Sequence, residues 1–278
     1  MKLINGFKLM EFAEKYHYVL PAFNTTNLEM TYAIADGLMK AGLPGYIQIS
    51  SNNLRLSNPA IIAELAADAV KKSEVPIGLH LDHGKSFEDV KACIDAGFTS
   101  IMMDASHLSY EENIRECRRA AEYCHFYGVP VEAELGALKG KEEDVVNEAE
   151  GKTDPDMVAD FVERTGCDTL AVSVGNVHGL CLNPEIDISL LEKIRQVSRV
   201  PLVLHGGSGI PKEVIWEAKK HGLIKINYGS DLRKEYVCTF GAAYESDHNE
   251  HDVIHLSMEA VDNVSRKVQE LVTMINEQ

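Results

Sequence analysis

No run of apolar residues in this 278-residue chain approaches the roughly 18 that a membrane-spanning helix needs. The N-terminal stretch MKLINGFKLMEFAEKY carries charges throughout and has no uninterrupted apolar core, so it does not read as a signal peptide. The six cysteines (Cys93, Cys117, Cys124, Cys167, Cys181 and Cys238) form no CxxC pair and no regular framework. That scatter excludes a disulfide-stapled fold and suggests reduced, mostly buried thiols in a cytoplasmic protein. Basic residues are short as well: Lys and Arg number 27 against 43 Asp and Glu, a formal net charge of −16. A surface that acidic repels phosphate backbones and anionic lipid, so neither nucleic acid nor membrane is an expected partner. It repels a small anionic substrate too. A phosphorylated substrate therefore needs local positive potential from a metal, backbone N–H groups or helix N-termini. No Pro/Gly/Ser-rich linker, composition shift or internal repeat divides the chain, so a single domain over residues 1–278 is expected.

What is present is alternation. Short apolar or β-branched runs at Val19–Asn24, Gly45–Ser50, Pro76–Asp82, Ser100–Ala105, Pro130–Leu135, Thr169–Gly175, Pro201–Gly206 and Ile224–Tyr228 read as strands. Amphipathic stretches lie between them, at Leu28–Lys40, Pro59–Lys72, Phe87–Ala96, Tyr110–Tyr127, Pro155–Arg164, Ile188–Val197 and Lys212–His221. Long helical tracts at Asp231–Tyr244 and His255–Ile275 finish the chain. Gly42, Gly97, Gly128, Gly166 and Gly222 stand where helix C-caps favour glycine. Strand–helix alternation of this length predicts an α/β fold closed as a (β/α)8 TIM barrel, for which about 250 residues is typical. One segment breaks the rhythm: Lys139–Asp154 is polar, acidic and without apolar periodicity. A loop this long in a compact domain is usually functional or disordered, and here it follows a strand, on the face where barrel enzymes keep their chemistry.

The strand ends carry the polar residues. LHLDHG, SVGNVHG and VLHGGSG deliver His83, His178 and His205 to one rim. A single such histidine is most often structural, but three imidazoles plus an open position suit a catalytic zinc or similar divalent ion. Asp82 precedes His83, and adjacent strand residues face opposite ways, so both reach the rim only where the strand is ending, as Gly84 allows. Its carboxylate reads equally as acid/base or as a partner holding a histidine. HGGSG (His205–Gly209) and Asn227-Tyr228-Gly229-Ser230, each before a helix, form the pair of loops that hold phosphate in many barrels. Asp104, Glu132 and Glu134 either bind a second cation or hold ligand histidines and pair with Lys or Arg.

These residues resemble the class II fructose-bisphosphate/tagatose-bisphosphate aldolases, from PAFN (Pro21–Asn24) to KINYGSDLR (Lys225–Arg233), through LHLDHG, EAELG, SVGNVHG and VPLVLHGGSGIP. The resemblance implies zinc on His83, His178 and His205, with Asp82 as acid/base. It implies an additional divalent metal or monovalent cation at Asp104 and Glu134, and a mobile-loop glutamate at Glu142. Dihydroxyacetone phosphate would be held by Gly179, by Gly206, Gly207 and Ser208, and by Asn227, Tyr228, Gly229 and Ser230, with Ser50 and Asn24 facing the substrate. The implied reaction is reversible cleavage of a phosphorylated ketose to dihydroxyacetone phosphate and an aldehyde such as glyceraldehyde 3-phosphate, in a homodimer or homotetramer. The chain departs from the pattern in lacking an Asp-Pro-Arg segment in its C-terminal region, where fructose-bisphosphate members place an arginine for the second phosphate. A phosphorylated ketose without a distal phosphate is the alternative substrate. A lysine Schiff-base aldolase would need a lysine inside the barrel, and Lys225 is the candidate. A metal-dependent isomerase or epimerase and a non-catalytic partner subunit are the further alternatives.

Overall fold

A computed structural model of the chain describes residues 2–136, 139–142, 145–147, 151–181 and 183–276, without the side chains of 139–142 and 145–147. The short apolar runs become barrel strands: β1 (Leu20–Asn24), β2 (Gly45–Ser50), β3 (Ile77–Gly84), β4 (Ser100–Met103), β5 (Val131–Leu135), then β8 (Thr169–Val172), β10 (Leu202–Leu204) and β11 (Leu223–Tyr228). All pair in parallel, and β11 pairs back onto β1 to close the barrel. Between β5 and β8 lie β6 (Lys139–Glu142) and β7 (Val145–Asn147), and β9 (Val177–His178) follows β8. The fold is the (β/α)8 barrel that the alternation predicts. Among the described residues no helix is long and apolar enough to cross a membrane.

Helices α2 (Leu28–Ala41) to α9 (Ser230–Ser246) follow the strands, and their ends obey local chemistry. Asn27, Ser86, Asp154 and Asp187 each accept a first-turn backbone N–H. Gly42, Gly97 and Gly166 close helices in the left-handed region. Helix α10 (Val253–Asn276) packs its apolar stripe onto α2, and Asn276 clamps Val19 from both sides, accepting its N–H at 2.9 Å and donating to its carbonyl at 3.0 Å.

Two elements were not expected from the sequence. Helix α1 (Gly6–Tyr16) lies at the N-terminal end of the barrel, where Gly6 N–H bonds the Thr99 carbonyl and Leu9 is fully buried. The acidic segment after β5 contains the antiparallel hairpin β6–β7, and β6 also pairs in parallel with β9 (Gly140 opposite His178). Strands β4, β8 and β10 stop sooner than expected, at Met103, Val172 and Leu204. The residues beyond them turn outward to build the rim: Asp104 N–H bonds the Gly84 carbonyl, and Gly175 adopts φ +102°.

Alternation along the strands sends Phe23 and Tyr228 outward, where their rings stack at 5.8 Å, and sends Asn24, Gln48, His80, Asp82, Glu132, Lys225 and Asn227 inward. Met102, Ala171 and Val203 form a separate apolar cluster inside the barrel, distinct from the main core between strands and helices.

Candidate active site

His83 has φ +46°, one of three non-glycine residues in the left-handed region among the described residues. The β3–β4 register shifts between Leu81 and Gly84, at the same place. The kink answers the question that adjacency poses, because it lets Asp82 and His83 reach one rim from consecutive positions. A backbone conformation of this kind costs on the order of 1–3 kcal/mol and is kept where the surroundings hold it.

The structure brings His83, His178 and His205 together. Ring centroids lie 4.5 Å apart for His83 and His205, 5.3 Å for His83 and His178, and 6.1 Å for His178 and His205. One nitrogen of each falls within 4.8 Å of the others. His83 Nδ1 is bonded to Asp104 Oδ2 at 2.7 Å, so coordination would fall to Nε2. Burial works against the Asp104 charge, but hydrogen bonds from His83 and Ser106 outweigh it and hold the carboxyl well below its usual range. His205 Nε2 is bonded to Glu132 Oε1 at 2.8 Å, and its Nδ1 is buried without a hydrogen-bond partner. Burial first, then the positive charges of His83 and Lys225, push the His205 pKa well down and keep the imidazole neutral. A buried lone pair on a neutral ring, with the other nitrogen held by a carboxylate, is the donor a divalent metal needs. The residues present therefore fit a metal.

Asp82 is fully buried at the centre of a hydrogen-bond cradle. Asn227 Nδ2 donates to Oδ1 at 2.9 Å and Asn24 Nδ2 to Oδ2 at 2.8 Å. Burial raises its pKa, but the electrostatic influence of His83 first, then of His205 and Lys225, together with the Asn24 hydrogen bond, prevails, so the carboxyl is held below its ordinary value. Its nearest imidazole nitrogen, His83 Nε2, is 3.9 Å away. Asp104, not Asp82, is thus the carboxylate that orients His83, and the Asp82 oxygens stand beside the histidines. Ser50 is opposite Asp82 in the β2–β3 register.

The strand-5 acids divide their work. Glu132 holds His205 and ion-pairs with Lys225 at 3.0 Å. Glu134 Oε2 lies 3.8 Å from His83 Nδ1 and 3.6 Å from His205 Nδ1. With His83 and Asp104 it forms a second group of potential metal donors within 4.8 Å. Lys225 donates to Glu132 Oε2 at 3.0 Å and to Asn227 Oδ1 at 2.8 Å, which engage its Nζ inside the barrel, and it does not line the cleft as a Schiff-base lysine would.

Next to the histidines is a small polar cleft lined by Gly179, Gly206, Ser208, Gly229, Ser230 and Arg233, together with Asn24, His178 and Asn227. Its glycines are needed for close approach. A Cβ on Gly206, whose φ is +65°, would stand 2.3 Å from the Val177 carbonyl, and one on Gly229 would stand 3.0 Å from Asn24 Oδ1. Helix α9 starts at Ser230, so its N-terminal dipole faces the cleft. Gly207 and Tyr228 are not brought into the lining: the Gly207 N–H is spent on the Asn227 carbonyl, and Tyr228 packs outward on Phe23. Arg233, one turn into α9, supplies the cleft with a cation that the sequence reading gave no role; its signal was the spacing from Gly229. Glu142 ends β6, beside the strand that carries His178, and its side chain lies outside the described residues.

Arg233→Met tests the cleft. Hydrogen bonds to charged partners contribute about 1.5–3 kcal/mol, so the KM for a phosphorylated ketose is expected to rise about 10- to 100-fold, with kcat changed much less. An unchanged KM in steady-state kinetics would remove Arg233 from the phosphate site.

A closed parallel barrel with its titratable groups gathered at the C-terminal rim defines a (β/α)8-barrel enzyme architecture. The family model for class II fructose-bisphosphate aldolase matches residues 5–278. The chain is 38% identical over 256 residues to a fructose-bisphosphate aldolase of Geobacillus stearothermophilus, covering 91% of this chain and 89% of that one. Among solved structures it is similar to the YdjI aldolase of Escherichia coli K12 (TM-score 0.85, 32% identity, 98% and 97% of the two chains). It is also similar to a putative fructose-1,6-bisphosphate aldolase of Coccidioides immitis (TM-score 0.88, 30% identity, 98% and 96% of the two chains). The chain belongs to the class II fructose-bisphosphate aldolase family, and its activity is that of an aldolase, a lyase of aldol chemistry.

Proposed function

We propose that the chain cleaves a phosphorylated ketose reversibly to dihydroxyacetone phosphate and an aldehyde, at a zinc site formed by His83, His178 and His205. The observation that carries this reading is the buried His205 Nδ1, whose lone pair meets no hydrogen-bond donor while Glu132 holds the opposite nitrogen. When bound, zinc supplies Lewis acidity that polarises the ketose carbonyl and offsets the negative charge left on the three-carbon fragment. The remaining steps belong to the chain's own residues. Asp82, held ionised and aimed by Asn24 and Asn227, takes the C4 hydroxyl proton as the C3–C4 bond breaks and returns it in the condensation direction. Glu142 protonates the carbon of the three-carbon fragment. Gly179, Gly206, Ser208, Gly229, Ser230 and Arg233 hold the phosphate, fixing the carbonyl toward the histidines. Asp104 and Glu134 orient the His83 side and offer a place for a second cation. A cytoplasmic location, which six unpaired thiols support, and assembly as a homodimer or homotetramer belong to the same reading.

The test is an assay of fructose and tagatose 1-phosphates and 1,6-bisphosphates with coupled detection of dihydroxyacetone phosphate, before and after chelation. The expected result is two products from at least one ketose, lost with EDTA and restored by zinc. Activity that survives EDTA but is lost to borohydride with substrate would overturn the metal assignment, and a single isomerised product would overturn the lyase assignment for that substrate.

A further inference from the structure

Lys225 is buried in the middle of the barrel, 4% exposed, on a strand whose next inward residue is Asn227. It does not itself line the cleft. An ammonium has three donors and no acceptor, and this one spends two of them in different directions. One arm runs from Nζ to Glu132 Oε2 (3.0 Å), and Glu132 Oε1 continues to His205 Nε2 (2.8 Å). The other runs from Nζ to Asn227 Oδ1 (2.8 Å), and Asn227 Nδ2 continues to Asp82 Oδ1 (2.9 Å).

A carboxamide presents an acceptor on one side and donors on the other. A donor-only group placed against Asn227 Oδ1 therefore forces its Nδ2 toward the Asp82 carboxylate. Without that group only the Asp82 carboxylate is left to fix the amide's orientation, and Asn227 Oδ1 is left buried without its donor. The other half of the cradle is built in the same way: Gln48 Nε2 donates to Asn24 Oδ1 at 2.9 Å, which turns Asn24 Nδ2 onto Asp82 Oδ2. The Glu132 arm acts on the ring nitrogen opposite to His205 Nδ1, fixing the ring's orientation and leaving Nδ1 as the lone-pair side.

We propose that Lys225 is the positioning residue that couples the two halves of the site, aiming the proton-transfer carboxylate through Asn227 and the His205 donor nitrogen through Glu132. This assignment rests on the reading of Asp82 and the three histidines given above. It gives the barrel's buried lysine a task other than covalent catalysis.

The experiment uses Lys225→Met, the neutral pair Lys225→Met/Glu132→Gln, Asn227→Ala and the triple combination. The neutral pair guards against simple unfolding, because it leaves no unpaired carboxylate in the barrel. Thermal melting establishes that each variant is folded. Zinc affinity of the metal-free proteins is measured by chelator competition, and kcat and KM are measured on the best ketose phosphate. Relative to wild type, Lys225→Met is expected to bind zinc about 10- to 100-fold more weakly. The neutral pair is expected to lose about 10- to 100-fold in kcat with KM nearly unchanged, and to lose less than that in the Asn227→Ala background, where only the Glu132 arm is left to cut. The idea is overturned by a folded neutral pair with wild-type kcat, by a folded Lys225→Met with wild-type zinc affinity, or by a kcat loss that is as large without Asn227 as with it. A wild-type protein that neither binds zinc nor cleaves any ketose phosphate would sink the underlying reading instead, and the two failures are told apart by the wild-type measurement alone.

Discussion

His178→Ala is expected to leave the protein folded, empty it of zinc and reduce turnover to background. His178 is half-buried on the two-residue strand β9, so its truncation removes little from the core. His205 is fully buried and holds Glu132, which makes it a poorer choice for separating chemistry from stability. Losing a single preorganised charge-stabilising group typically costs about 10²–10³ in rate. Losing the Lewis acid itself must exceed that, so a loss beyond about 10³-fold is expected. Metal analysis after dialysis, circular dichroism and the coupled assay read the three parts separately. Glu142→Ala provides the contrast: it should keep zinc and ketose binding and lose about 10²–10⁴ in rate, the usual weight of one proton-transfer group. Zinc at full occupancy in the His178 variant would remove it from the ligand set.

The strands were legible in the sequence because strands of a parallel barrel are buried on both faces and read as unbroken apolar runs, as TLAV and LVL do here. The rim histidines were legible for a related reason: His83 and His205 end such runs, His178 lies a few residues beyond one, and each is followed at once by glycine. Other features depend on closure of the chain. The hairpin β6–β7 has no apolar period of its own, and part of its pairing is supplied by β9, some 35 residues on. Helix α1 has an amphipathic pattern, but GFKLMEFAEKY precedes the first strand and so stands outside the strand–helix alternation that marks the other helices. The sequence left open whether Glu132 binds a cation, because its partners lie far along the chain, 93 residues away at Lys225 and 73 at His205. The choice between two roles for Asp82 was likewise open until Asp104, 21 residues beyond His83, was seen to be the one that orients it. The positive φ of His83 is a tertiary outcome too, imposed where β3 and β4 lose register.

Asp82→Asn is expected to retain zinc and lose about 10²–10⁴ in kcat, because an amide has the shape of the carboxylate and none of its basicity. The substitution is not silent in the cradle. Asn24 and Asn227 both present N–H groups, so one of them must turn away from the amide nitrogen of the new side chain. Asp82→Ala strands both donors, at about 1–3 kcal/mol for each buried group left unpaired, and should melt at a lower temperature than the Asn variant for the same kinetic loss. The two variants therefore separate basicity from support. A further measurement separates Asp82 from Glu142. If Asp82 handles only the C4 hydroxyl, Asp82→Asn will still exchange a C3 hydrogen of dihydroxyacetone phosphate with deuterium oxide, since that exchange needs no aldehyde and no C4 oxygen. Glu142→Ala, which lacks the group acting on the carbon, will not. Both reactions can be followed by proton NMR on the same samples that supply the metal content. Loss of exchange in Asp82→Asn with zinc retained would move Asp82 from the hydroxyl to the carbon, and would leave the C4 proton transfer to another group.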